Sequence, residues 1–202
     1  MERVEDKEKK GKLFVISGPS GVGKTSLIED VLERLDGFVK SISVTTRPRR
    51  ENEINGVQYR FVTEKEFMEL VDKDLLLEWA WYAGYLYGTP KDFVLNELSS
   101  GRNVILEIEV KGAMQIKSKI KDAYLIFITV PSLKSLEERL KKRGTNNLNE
   151  IRKRIEIAKE ELKYEKYYDC IIINNNYNEA LYNLEYVLNL KGGRCLNESS
   201  LH

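Results

Sequence analysis

The sequence predicts an α/β fold, a parallel sheet flanked by helices, and two observations lead there. Apolar runs at residues 13–17, 40–44, 103–109, 124–130 and 169–173 are separated by helix-periodic segments, the alternation from which crossover-linked parallel sheets are built. The first run, LFVIS, is apolar at nearly every position rather than at every second one, as a strand covered on both faces requires.

Taken in order, the chain opens with charge: its first twelve residues carry five basic and four acidic side chains and one aliphatic one. Residues 1–11 are therefore expected to be a flexible lead-in, with structure from Leu13. A helix is expected over 24–35, with Leu27, Val31, Leu32 and Leu35 on one side and Gly37 past its end. After the strand at 40–44, residues 45–92 break the alternation. They hold Gly, Pro, Tyr and Trp in short β-like pieces (VQYRFV, LLLEWAWY, YLYGT), which predict a small mixed or antiparallel substructure in place of a helical crossover. Residues 132–163 read as two helices around Arg143 and Gly144, with Leu133, Leu136 and Leu140 on the first and Leu148, Ile151, Ile155, Ala158 and Leu162 on the second. A last helix is expected over 177–190, with Tyr177, Leu181, Leu184 and Leu188 inward, and residues 191–202 form a polar tail.

Composition narrows the chemistry. The 202 residues include 33 Lys+Arg and 32 Asp+Glu, a formal net charge of +1, and one histidine, which is the last residue, His202. That placement points away from Ser-His-Asp and Cys-His catalysis and from His-built zinc sites. Cys170 and Cys195 make no CxxC pair, so neither a disulfide framework nor a cysteine-ligated metal is indicated. The near-neutral total is no signature of a nucleic-acid or membrane binder, yet residues 134–166 hold eleven basic and seven acidic side chains, a local excess of +4. The longest apolar run, residues 124–130, is far short of a membrane span, and the start lacks the apolar stretch of a signal peptide. A cytoplasmic protein with neither nucleic acid nor membrane as partner is the expectation.

Gly18-Pro19-Ser20-Gly21-Val22-Gly23-Lys24-Thr25 matches the phosphate-loop pattern GxxxxGK[ST], between an apolar strand and a helix. Glycines let backbone N–H groups turn inward onto phosphate oxygens, and the helix amino terminus adds a favourable dipole. Lys24 is placed to reach the β and γ phosphates, and the Thr25 hydroxyl to ligate Mg2+. The motif alone leaves a GTPase, an ATPase and a small-molecule kinase open. Downstream, SVTTRPRR sets Arg47, Arg49 and Arg50 beside hydroxyls, and Tyr59, Tyr85 and Tyr87 follow. Guanidinium groups grip phosphate bidentately, so this stretch reads either as a second phosphate site or as a solvated basic loop. ILEIE ends an apolar strand with Glu107 and Glu109, where carboxylates of open α/β sheets face the ligand crevice.

SVTTRPRRENEINGVQYRFV, LEWAWYAGYLYGTP, ILEIEVKGA, RLKKRGT and the IIIN of residues 171–174 follow GPSGVGKT in that order. Together they resemble nucleoside monophosphate kinases of the guanylate kinase family over residues 12–190. The resemblance implies a core of residues 12–40, 93–131 and 164–190, a mixed α+β GMP-binding insertion at 41–92 and a helical lid at 132–163. It implies transfer of a phosphoryl group from ATP to GMP, and to dGMP, in purine nucleotide metabolism, with ATP and Mg2+ as donor and cofactor. By the same resemblance Arg47, Arg50, Tyr59 and Tyr87 hold the GMP phosphate, Glu78 reads guanine with Ser43 and Thr89 beside it, and Arg139, Arg143 and Arg154 close over the donor. Guanine offers a ring N–H and an amino group side by side, a pair that one carboxylate accepts and adenine does not match.

Two departures stand out. The family usually carries Asp where this chain has Glu107 and Glu109, so for Glu107 both direct metal ligation and contact through water stay open, and Glu109 is named only as an acceptor-site contact. The family reads Asn-Asp where Asn174-Asn175-Asn176 stands; Asn174 keeps the matching residue on the donor side. A GTP-hydrolysing switch is disfavoured because no NKxD motif is present. A non-catalytic interaction module is disfavoured by the intact phosphate loop and arginine set, and oligomeric state is not legible.

Overall fold

A computed structural model of the chain describes residues 10–142 and 148–193. The expectations for residues 1–9, for the hairpin tip with Arg143 and Gly144, and for residues 194–202 lie outside that range.

Five strands, β1 (Leu13–Ser17), β2 (Phe38–Lys40), β7 (Asn103–Glu107), β8 (Tyr124–Thr129) and β9 (Cys170–Ile173), form one parallel sheet in the order β2-β7-β1-β8-β9. All five residues of β1 are buried, as an unbroken apolar run demands. Helices α1 (Lys24–Leu32), α5 (Leu133–Lys142), α6 (Leu148–Leu162) and α7 (Tyr177–Gly192) belong with the core cluster on one face, around Phe14, Ile16, Ile126 and Ile128. On the other face α3 (Lys91–Ser99) and α4 (Val110–Lys119) cover Leu13, Val15, Leu125 and Phe127.

The interruption of the alternation is a second sheet, order β4-β3-β6-β5, made of β3 (Val44–Thr45), β4 (Arg60–Phe61), β5 (Leu76–Tyr82) and β6 (Tyr85–Pro90). It packs a small core of its own: Val44, Phe67, Leu76 and Leu86. The strand expected at 40–44 is in fact shared between the sheets. Phe38–Lys40 pairs with β7, Val44–Thr45 pairs with β6, and residues 41–43 carry the chain across. Helix α2 (Glu64–Asp72) was not picked out in the sequence. Its signal is a capping box: Thr63 accepts from the Glu66 amide while the Glu66 carboxylate accepts from the Thr63 amide.

Other boundaries move for local reasons. Helix α1 ends at Leu32, three residues early, because the Arg34 amide turns back to the Val31 carbonyl in a tighter closing turn; Leu35 still packs in the core. Strand β7 stops at Glu107, since Glu109 already caps α4. Helix α7 runs two residues past the expected end, so the tail begins later than residue 191. Tyr177 is not inward: it is 36 % exposed and its hydroxyl donates to Asp30. At the other end, the Gly11 amide bonds the Leu98 carbonyl and the Lys12 amide bonds Asn103, so these two residues are already tied to the core before β1.

Replacing Thr63 with Ala removes the α2 cap and is expected to cost about 1 kcal/mol, lowering the thermal midpoint by roughly 3 °C. Calorimetry of the variant against the parent checks this.

Candidate active site

The phosphate loop fills the turn from β1 into α1. Gly23, the residue before α1, has φ 99°, and a Cβ there would meet Asn174 Nδ2 at 2.7 Å. Only glycine enters the helix this way. Lys24 folds back onto its own loop, donating to the Gly18 carbonyl at 2.5 Å and the Pro19 carbonyl at 3.1 Å. Because β1 and β7 pair with Ile16 opposite Glu107, the strand end beside the loop presents a carboxylate. Glu107 accepts from Thr25 Oγ1 and from Lys40 Nζ, each at 2.6 Å. Burial pushes the Glu107 carboxyl up, but Lys40, Lys24 and the Thr25 hydroxyl outweigh it and hold it below its ordinary value.

A cleft of about 580 Å3 opens over the loop. Ser20, Gly21, Gly23, Lys24 and Thr25 of the loop line it together with Arg47, Arg50, Tyr59 and Tyr87 of the insertion, Glu107, Glu109 and Arg154. Arg154 Nη1 donates to Ser20 Oγ at 3.0 Å, joining α6 to the loop. Arg47 stacks over Tyr59, 5.4 Å from the ring centre, and pairs with Glu53 at 2.7 Å. Glu53 also accepts from the Arg50 amide at 2.8 Å, so one carboxylate shapes the arginine turn. The sequence reading missed Glu53; the signal available was an acid within six residues of three arginines.

Beside the cleft lies a narrow pocket lined by Ser43, Tyr59, Glu78, Tyr87 and Glu109, among others. Glu78, on β5, is 3 % exposed. Thr89 Oγ1 donates to Glu78 Oε1 at 2.6 Å. A Cβ on Gly112 would collide with Glu78 Oε2, so the α4 glycine makes the room that the carboxylate occupies. Burial pushes the Glu78 carboxyl up to about 7 against the Thr89 hydrogen bond and the Lys119 charge, with the Glu109 charge adding to the rise. Tyr82 lines both cavities and was also missed; it follows Trp81 directly at the end of β5, and the run of aromatic residues does not mark which one faces inward.

Not every expected residue reaches the cleft. Arg139 instead donates to the Val22 carbonyl at 3.3 Å and to the Asn174 carbonyl at 2.5 Å. Asn174 is buried behind the loop, its side chain donating to the Val22 carbonyl at 2.8 Å. Pro19 and Val22 form the loop backbone away from the cleft lining, and Arg143 lies outside the described residues.

A phosphate loop on a parallel sheet, sharing one cleft with arginine and tyrosine side chains beside a buried carboxylate pocket, defines a phosphate-loop phosphotransferase of nucleotides. A family model described as guanylate kinase matches residues 10–191. A guanylate kinase of Synechococcus sp. (strain JA-3-3Ab) is 45 % identical over 179 residues, 89 % of this chain and 82 % of that protein. One from Thermotoga maritima is 45 % identical over 172 residues, 85 % of this chain and 83 % of that one. The crystal structure of guanylate kinase from Anaplasma phagocytophilum superposes with a TM-score of 0.78 at 28 % identity, covering 93 % of this chain and 89 % of that one. The chain belongs to the guanylate kinase family. Among the described residues, no helix is long and apolar enough to cross a membrane.

The raised Glu78 carboxyl is a stability statement. Between about pH 4.5 and about 7 the folded chain holds this proton more tightly than the unfolded one, so Glu78 costs stability as pH rises through that window and costs most above it. Glu78→Gln should therefore raise the melting temperature of the unliganded protein relative to the parent at about pH 8 and much less at about pH 5. Paired thermal melts at the two values check this.

Proposed function

We propose that this chain catalyses ATP-dependent phosphorylation of GMP to GDP, with the cleft residues dividing the work between the two nucleotides. The observation that carries the reading is the buried Glu78–Thr89 pair in a pocket that shares Tyr59 and Tyr87 with the cleft lined by the phosphate loop, Arg47 and Arg50. ATP is the phosphoryl donor. The loop from Gly18 to Thr25 holds its phosphates through backbone N–H groups, and Lys24 exchanges its loop carbonyls for phosphate oxygens. Arg47, Arg50, Tyr59 and Tyr87 hold the acceptor phosphate. Glu78, with Ser43, Thr89 and Glu109, reads the base. Nothing in this division depends on the 2′-hydroxyl, and dGMP is included as an acceptor.

The acceptor phosphate is already an anion, so it attacks the γ phosphorus of ATP in line without a protein base, and catalysis is positioning plus electrostatic stabilisation. A chain whose one histidine is its last residue suits that chemistry. Thr25, an exposed hydroxyl fixed by an ionised carboxylate, is a hard-oxygen donor of the kind Mg2+ takes beside substrate phosphates, and the site fits the ion. Bound there, Mg2+ would supply charge neutralisation on the transferring phosphates. Arg154 lines the cleft for the same charge, while Arg139 and Arg143 are proposed to join it when the α5–α6 hairpin closes and water is excluded. Asn174 braces the loop from the donor side.

A coupled assay of ADP formation with GMP, dGMP, AMP, CMP and UMP tests the reading. GMP and dGMP should be used and AMP not; an enzyme preferring AMP overturns the base assignment. Lys24→Ala should lower kcat by about two to three orders of magnitude, measured by the same assay. Glu78→Gln should erode the GMP-over-AMP ratio of kcat/KM by about tenfold or more, and unchanged selectivity would exclude the carboxylate as reader.

A further inference from the structure

The strand that carries Glu78 breaks its own alternation. Along β5 the register with β6 pairs Leu76 with Pro90 and Glu78 with Thr89, so β5 advances two residues while β6 advances one, and Leu77 is left over as a bulge. The side chains follow the break. Leu76 packs with Phe67 in the small core of the insertion, and the Trp79 ring centre lies 6.4 Å from that of Phe67. Leu77 packs in the parallel-sheet core with Val110, Ala113 and Ile116 of α4, and the Glu78 carboxylate lies against Gly112 of the same helix. Two consecutive residues therefore face α4, between two that face Phe67. In a regular strand Glu78 would share the face of Leu76, and its carboxylate would enter an apolar core.

The bulge is held from outside the sheet. β5 is an outer strand, and side chains of α4 meet its backbone on both sides of Glu78. Lys119 Nζ donates to the carbonyl of Leu77, the bulge residue itself, at 2.7 Å. One turn earlier on the same helix face, Gln115 Nε2 donates to the Trp79 carbonyl at 2.7 Å, and its Oε1 accepts from the Trp79 amide at 3.4 Å. The helix that leaves room for the carboxylate at Gly112 thus also grips the residues that flank it. We propose that Lys119 and Gln115 are positioning residues for base recognition: by clamping the Leu77 bulge to α4 they keep Glu78 out of the insertion core and aim it into the narrow pocket. The Lys119 charge also favours the ionised carboxylate, the form that accepts from guanine. The inference rests on the reading of Glu78 as the residue that reads the base.

Nucleotide kinetics and amide exchange on the full chain test the clamp. Lys119→Met, which keeps the stem and removes the donor, should raise KM for GMP about tenfold and lower the GMP-over-AMP ratio of kcat/KM about tenfold, with KM for ATP unchanged. Lys119→Arg, which keeps a charged donor, should restore both to within about threefold of the parent. Gln115→Leu should lower the same ratio, and should speed hydrogen exchange of the Trp79 amide about tenfold, read by NMR. Intact selectivity in Gln115→Leu beside a loss in Lys119→Met would leave only the lysine charge at work and overturn the clamp. Equal rises in KM for GMP and ATP, or an arginine variant no better than the methionine one, would overturn it as well and reduce the pair to packing residues. Wild-type preference for GMP over AMP is scored first; if it fails, the base reading falls, while the Trp79 exchange still decides whether α4 holds the strand. Should Lys119→Met not fold, the selectivity and exchange of Gln115→Leu decide alone.

Discussion

The parallel pairing of β1 with β7 is the constraint on which the site depends. Register sets Ile16 against Glu107, so the strand that feeds the phosphate loop and the strand that ends in carboxylates finish at one edge of the sheet. Everything polar in the cleft is built outward from that edge. Thr25 starts α1 within reach of Glu107, Lys40 reaches the same carboxylate from β2, and Glu109 begins α4 two residues on. A slip of one residue would turn Glu107 to the opposite face and separate these groups. The strands that hold the register are themselves fixed by burial on both faces, with Phe14, Val15 and Ile16 all fully enclosed.

The second sheet solves a different problem. A buried carboxylate such as Glu78 is costly without a ligand, and the chain meets the cost by supporting it from two sides. Thr89 of β6 gives it a hydrogen bond, and Gly112 of α4 withholds a side chain. Further contacts hold β5 against α4: Gln115 bonds the Trp79 backbone and Lys119 bonds the Leu77 carbonyl. The pocket is thus closed by the parallel core on one side and the small sheet on the other, and neither unit encloses it alone.

Much of this was legible in the sequence. The phosphate loop, the apolar strands and the arginine stretch each carry a local physical signature, and in the structure the loop, Arg47 and Arg50 line one cleft. What escaped was set by packing. Whether Glu78 is buried depends on a glycine thirty-four positions away, which no periodicity in LEWAWY reveals. The crossing at residues 41–43 escaped because SIS continues an acceptable strand pattern while the pairing partner changes from β7 to β6. Glu53 looks like an ordinary surface acid in a chain with 32 Asp+Glu, and only its pairing with Arg47 and the Arg50 amide gives it work. Arg139 shows the reverse, an expected cleft residue that finds backbone carbonyls instead.

The inward turn of Lys24 has a consequence of its own. Because the ammonium rests on the Gly18 and Pro19 carbonyls, the loop satisfies its own lysine and is not a bare positive hole. Donor capture is then an exchange of one set of hydrogen bonds for another, and its net free energy is far smaller than the sum of the new contacts. The same exchange run backwards lowers the barrier to letting the spent nucleotide go. A loop that compensates its own lysine is suited to turnover, since tight retention of either donor or product would stall a catalyst that must handle both in every cycle.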